Sequence, residues 1–148
     1  VGLYAAEIIN ALRNDDPELM LFCITPYEEQ ATKWTPELRE RYFDMLVKCT
    51  RMTAVYTHKQ LGAQLEAYRT IIRQSDMVLA VYDPASARGD DTDAAIQYAR
   101  ELKRPILCIH PDTLRTPEKS LHWLLSFPMQ RILPAPSSER RKISDWAR

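Results

Sequence analysis

Three aspartates, Asp90, Asp91 and Asp93, stand beside Gly89 and Thr92 inside the stretch "MVLAVYDPASARGDDTDAAIQYARELKRPILCIHP", residues 77–111. A strand, a glycine-containing loop and a helix start together present backbone N–H groups that can receive a phosphate. The carboxylates complement the helix dipole, yet they oppose an anion. At close range each like-charge contact costs on the order of a kcal/mol or more. That loop chemistry disfavours a bare phosphate and leaves a ribose hydroxyl or a metal-bridged phosphate as the ligand group. A purely structural role, in which the acids cap the helix, is equally open.

Asp83 ends the preceding strand beside Pro84. An acid there either accepts from a ribose hydroxyl or fixes a turn, and the sequence does not choose between them. Arg69, on the helix before that strand, suits a phosphate through its guanidinium fork, or it lies on a solvated helix face. Glu28, Glu29 and Gln30 cap or line the mouth of the same rim. His58, His110 and His122 have no ligand spacing, so no metal site is expected. No Ser-His-Asp or Cys-His set can be assembled, so no catalytic residue is assigned and no cofactor is expected. Cys23, Cys49 and Cys108 are odd in number and widely spaced, the pattern of reduced, buried thiols.

The elements that must position these groups alternate. Apolar spacing predicts a helix over Leu3–Arg13, and "LMLFCIT" (Leu19–Thr25) is an apolar run expected to form a strand covered on both faces. Thr35 is a good N-cap with Pro36 at the first helical position, opening a helix to about Cys49. A second strand is expected at Met52–Thr57. Ala63–Gln74 follows as a helix with Leu65, Tyr68, Ile71 and Ile72 on one side. "MVLAVYD" is the third strand, Thr92–Lys103 a helix, and "PILCIH" the fourth strand.

Nearly apolar strands alternating with helices predict a Rossmann-like α/β domain, a parallel sheet with helices on both faces, over residues 1–113. Residues 114–148 read as an extension: a short helix at "SLHWLLSF", a small strand at "MQRIL" and the polar tail "PAPSSERRKISDWAR". A doubly wound domain opens with a central strand and a ligand loop, whereas this sequence opens inside a helix. The first strand is therefore expected to be missing, or its place in the sheet covered by another segment.

The 148 residues suit one such domain, and 45% hydrophobic with 27% charged residues is the composition of a soluble globular chain. Lys plus Arg and Asp plus Glu number 20 each, so no net field draws the chain to nucleic acid or an anionic membrane. No apolar run approaches the roughly 18 residues of a membrane span, and the opening "VGLYAAEIINALRNDD" lacks a charged leader. A cytoplasmic protein without membrane or nucleic-acid partners is the expectation, with room for a homo-oligomer.

"LYAAEIINALR", "ITPYEEQATKW", "YRTIIRQSDMVLAVYD" and "TDAAIQYARELKRPILCI" together resemble the SLOG superfamily, which includes the DprA and LOG proteins, and most closely its small bacterial YpsA-like branch. The resemblance runs from about Leu3 to Pro111. It implies a Rossmann-like fold and binding of a nucleotide or nucleoside-derived small molecule by Arg69, Asp83, Gly89, Asp90, Asp91 and Thr92. Departures fall at ligand positions. Val1 and Gly2 stand where the family has a glycine-aspartate pair, and Ala67 and Tyr68 where the branch has Arg-Asn. Asp90 and Asp91 replace a glycine pair before the matching Thr92, and Ala94 and Ala95 lie where LOG members carry a catalytic glutamate. A nucleotide-sensing domain with an altered site is the first functional reading. An enzyme of the deoxyribosyltransferase or phosphoribohydrolase kind, using Asp91, Asp93 or Glu28, is the second. A protein-interaction module using the "HWLLSF" helix and "ERRK" tail is the third.

Overall fold

The structure is a computed structural model that describes residues 1–83, 85 and 88–116. The helix, strand and tail expected beyond residue 116, and with them His122, lie outside the described residues. Eight elements alternate: α1 (Gly2–Leu12), β1 (Phe22–Tyr27), α2 (Pro36–Lys48), β2 (Arg51–Tyr56), α3 (Ala63–Arg73), β3 (Val78–Val81), α4 (Asp91–Glu101) and β4 (Ile106–Ile109). This is a Rossmann-like α/β fold.

Among the described residues its strands form two parallel pairs rather than one continuous sheet. β1 pairs with β2 from Phe22 opposite Arg51 to Tyr27 opposite Tyr56, and β3 pairs with β4 from Val78 opposite Ile106 to Val81 opposite Ile109. Each pair has its own apolar cluster. In the first, Ala6 of α1, Leu21, Ala31, and Tyr42 and Met45 of α2 are buried, with Trp34 packed against them. Trp34 meets Tyr42 edge to face at 5.3 Å between ring centres, a favoured aromatic geometry. In the second, Ile72 of α3 meets Ala95 and Ala99 of α4, with Tyr68, Val78 and Ile106 around them. α3 ties the halves together, lying against β1 and β2 on one side and α4 on the other.

Local rules account for the element ends. Thr35 caps α2 by accepting from the Leu38 N–H, with Pro36 inside the first turn, where a missing N–H costs nothing. Leu21 N–H donates to Thr50 Oγ1 at 2.9 Å and so fixes where β1 meets β2. β1 is the misplaced element. It begins three residues later than the apolar run suggests and continues through Pro26 to Tyr27. The ladder register skips Pro26, which has no N–H to give, so tertiary pairing carries the strand across a residue that local rules exclude. The expected cover on both faces also fails at Phe22, which is 51% exposed. On α3, Ile71 points outward while Ala63, Ala67 and Ile72 are buried. The three cysteines are free thiols, as expected, but half-buried rather than buried. Burial and the neighbouring Cys49 thiol push Cys23 up to about 11.

Candidate functional site

Parallel strands deliver their carboxyl ends to one rim, and in open α/β sheets ligands bind there, where the strand order reverses. The loop after β3 and the loop after β2 both reach this rim, and each opens a helix.

The loop after β3 leads into α4. Asp90 is its N-cap, accepting from the Thr92 N–H at 2.9 Å and the Asp93 N–H at 3.1 Å. Asp93, three residues on, reaches back over the loop. Its Oδ2 accepts from the Arg88 N–H at 2.6 Å and from the Gly89 N–H, while its Oδ1 accepts from the Tyr82 hydroxyl at 2.7 Å. The pair forms an acidic version of the reciprocal capping box. The Tyr82 hydroxyl, followed by the amides of Gly89, Arg88 and Asp90, holds the Asp93 carboxyl below its usual range against the opposing effect of burial. Asp93 in turn raises the Tyr82 phenol. Gly89, at φ 68°, supplies the left-handed backbone that this wrap requires. The amides suited to a phosphate thus already donate to a carboxylate of the same chain.

The other predicted residues have local partners of their own. Asp83 Oδ1 accepts from the Ala85 N–H at 2.9 Å and lies 3.8 Å from His110 Nε2, the geometry of a residue fixing a turn. Arg69 lies between α3 and α4, its guanidinium 5.5 Å from the Tyr98 ring centre and 3.9 Å from Glu66. Its Nε is buried without a hydrogen-bond partner among the described residues. Gln30 donates to the Tyr42 hydroxyl at 3.0 Å, and Glu29 lies 3.4 Å from His58, so both serve local structure. The described residues contain no cluster of three or more His, Cys, Asp or Glu side chains suited to a metal ion.

The loop after β2 is built differently. Gly62 precedes α3 at φ 76°, and no side chain caps that helix. In front of it lies an open cleft of about 520 Å3, lined by Tyr27 from the end of β1, Lys59 to Gln64 from the loop and first turn of α3, and Asp91 from the start of α4. It therefore lies across the junction of the two strand pairs. Of the six residues predicted from sequence, only Asp91 lines it. Tyr27, Lys59, Gln60 and Gln64 were not predicted. The signal for them was Gly62, which stands at the end of a strand-to-helix loop and opens α3.

The model of the YpsA family, described as the YspA SLOG family, matches residues 1–114. The chain belongs to the YspA SLOG family. A UPF0398 protein of Brevibacillus brevis is 34% identical over 85 residues, which cover 56% of this chain and 45% of that relative. One of Halalkalibacterium halodurans is 31% identical over 85 residues, again 56% and 45%. Another, of Lysinibacillus sphaericus, is 25% identical over 119 residues, 78% of this chain and 63% of the relative. The chain thus spans about half to two thirds of the length of these curated relatives. The SLOG match encloses both rim loops, the cleft and all six predicted residues. No helix among the described residues is long and apolar enough to cross a membrane.

Proposed function

We propose that this SLOG-type domain binds a nucleoside-derived small molecule in the cleft between Tyr27, the Lys59–Gln64 segment and Asp91, and that it reads the sugar and base more strongly than a phosphate. The observation that carries this reading is the Asp91 carboxylate on the cleft wall, which opposes an anion there, while at the neighbouring helix start Asp93 already occupies the Arg88 and Gly89 amides. What the cleft offers instead is a carboxylate to accept from ribose hydroxyls (Asp91), two side-chain amides (Gln60 and Gln64) and an aromatic ring (Tyr27). Stacking a base on an aromatic ring is worth about 1–3 kcal/mol. Among the described residues that line the cleft, Lys59 is the one cation and Asp91 the one carboxylate. These groups support a sensor that recognises a nucleoside.

A thermal-shift panel of nucleosides and their monophosphates tests the reading. At 100 times its dissociation constant a ligand adds about 2.7 kcal/mol of stability. At least one nucleoside is expected to stabilise the protein more than its own monophosphate at equal concentration. Asp91→Asn should narrow that difference, because the substitution removes a negative charge from the cleft. A uniform preference for monophosphates, or no shift with any member of the panel, would refute the proposal. Release of free base during the same incubations would instead establish the glycosidic-bond enzyme, for which Asp91 is the carboxylate on the cleft.

A further inference from the structure

Cys23 is the second residue of β1, and Cys49 is the residue that closes α2. The turn from α2 into β2 brings them together. The N–H groups of Thr50 and Arg51 both donate to the Leu21 carbonyl, at 2.8 and 3.2 Å, which pins the residue after Cys49 to the entrance of β1. Side chains alternate along an extended segment, so Leu21 and Cys23 turn to one side and Phe22 to the other. Leu21 and Cys23 accordingly join the first apolar cluster, and Phe22 is exposed.

Met45 is the common neighbour of the two cysteines. Its Sδ lies 3.4 Å from Cys23 Sγ, and its carbonyl accepts from the Cys49 N–H at 3.0 Å. Cys49 Sγ donates to the Leu46 carbonyl at 3.1 Å and is within hydrogen-bonding reach of the Cys23 thiol. Both thiols pack on the cluster of Ala6, Leu21, Tyr42 and Met45, and both are half-buried. Cys108 stands apart, on β4 of the other strand pair. As a packing residue a cysteine is only a small hydrophobe, and reactivity is what distinguishes it from alanine or valine. Two thiols held against each other by a strand and a helix end have a reaction open to them that neither has alone.

We propose that Cys23 and Cys49 form an oxidation site, at which a hydroperoxide converts the pair into a reversible disulfide joining the start of β1 to the end of α2. Cys49, as thiolate, attacks one peroxide oxygen. The O–O bond breaks, the second oxygen leaves with a proton as water or alcohol, and Cys49 becomes a sulfenic acid. Cys23 then attacks the Cys49 sulfur, the S–S bond forms, the S–O bond breaks, and water leaves with the Cys23 proton. The two sulfurs together give up two electrons, and the peroxide is reduced by two. Cys23 is the resolving partner because burial keeps its thiol protonated. The bond closes the chain from Cys23 to Cys49, all of α2 included, into a covalent loop that restrains the unfolded state. A dithiol reductant reverses it by exchange. This chemistry is independent of the cleft ligand.

The test treats the folded protein with hydrogen peroxide, alkylates the remaining thiols after unfolding, and weighs the proteolytic fragments. Alkylation at Cys108 alone is expected, with one linked fragment pair that joins Cys23 to Cys49 and separates in dithiothreitol. Cys23→Ser and Cys49→Ser should each abolish the link, and Cys108→Ser should leave it. Equilibration with reduced and oxidised glutathione measures what the fold contributes: the folded pair should favour the disulfide at least about tenfold more than the same pair in concentrated guanidinium. Cys23 and Cys49 that stay separate, whether alkylated or further oxidised, would overturn the proposal. Links through Cys108 or between two chains would do the same, and so would a disulfide favoured no more in the folded protein than in guanidinium.

Discussion

Two helix starts face the same rim and solve the same problem in opposite ways. At α4, Asp90 and Asp93 bond the first-turn and loop amides, and Tyr82 fastens Asp93 from below. At α3, glycine stands at the cap position, no side chain bonds the first turn, and a cleft opens in front. Both starts carry the partial positive charge of a helix dipole. The difference shows that the loop resembling a phosphate cradle in sequence has been closed by its own acids, while the plainer loop keeps its polar groups available. A glycine and a helix start do not make a site until it is known where the amides donate.

Removing what anchors α3 should break this contrast most severely. Ile72→Ala takes a buried side chain from the second cluster. It should cost about 2–5 kcal/mol, read from the denaturant midpoint, and should weaken ligand-induced stabilisation as α3 loosens. A loss below about 0.5 kcal/mol would mean that α3 is not held by that cluster.

A smaller effect is expected at the open start itself. Gly62→Ala forces a side chain into the left-handed region at φ 76° and should cost about 1–2 kcal/mol. Amide exchange at Arg88 and Gly89 should stay unchanged. Parallel changes at both loops would show that the two starts are coupled.

The closed start is sharpened by pH. Because the folded-state carboxyl of Asp93 titrates below its ordinary value of 3.8, its contribution is present above that value and is lost as pH falls through the lowered folded value. Tyr82 has the opposite sign. Its phenol is raised above 10.0, so its contribution is present below pH 10.0 and disappears as pH rises through the raised folded value. Protection of the Arg88 and Gly89 amides, corrected for the intrinsic pH dependence of exchange, should therefore hold across the neutral range and fail at both ends. Asp93→Ala should remove the acid-side loss along with the protection itself. Retention of that loss in the variant would assign it to another group.

Much of the fold was legible because local and tertiary preferences agree. Thr35, Pro36 and Glu37 announce α2; β3 and β4 lie within their expected apolar runs, and β2 begins at Arg51, one residue before its expected run. β1 was misplaced because pairing with β2 overrides the local aversion to Pro26. The buried side of α3 was misjudged because it relies on Ala63 and Ala67, whose small side chains give weak periodicity, while the larger Ile71 faces out. At the site, the acidic loop was found and its electrostatic conflict recognised. Helix capping by these acids was one of the two open readings, but the reach of Asp93 back to Tyr82, Arg88 and Gly89 was not legible, because those groups meet only after the chain has folded back. The spacing of Asp90 and Asp93 carried the capping-box signature that would have suggested it. Asp83 and Arg69 were drawn to the site by their position in the sequence; in the structure Asp83 accepts from the Ala85 N–H and Arg69 lies over the ring of Tyr98.

The ligand proposed above meets the α3 side of the rim. Backbone chemical-shift mapping during titration with the nucleoside that gives the largest thermal shift tests it most directly. The largest perturbations are expected at Tyr27, Lys59 to Gln64 and Asp91, with Arg88 and Gly89 nearly still. Perturbations centred on Arg88, Gly89 and Thr92, with the Lys59–Gln64 segment unmoved, would contradict it.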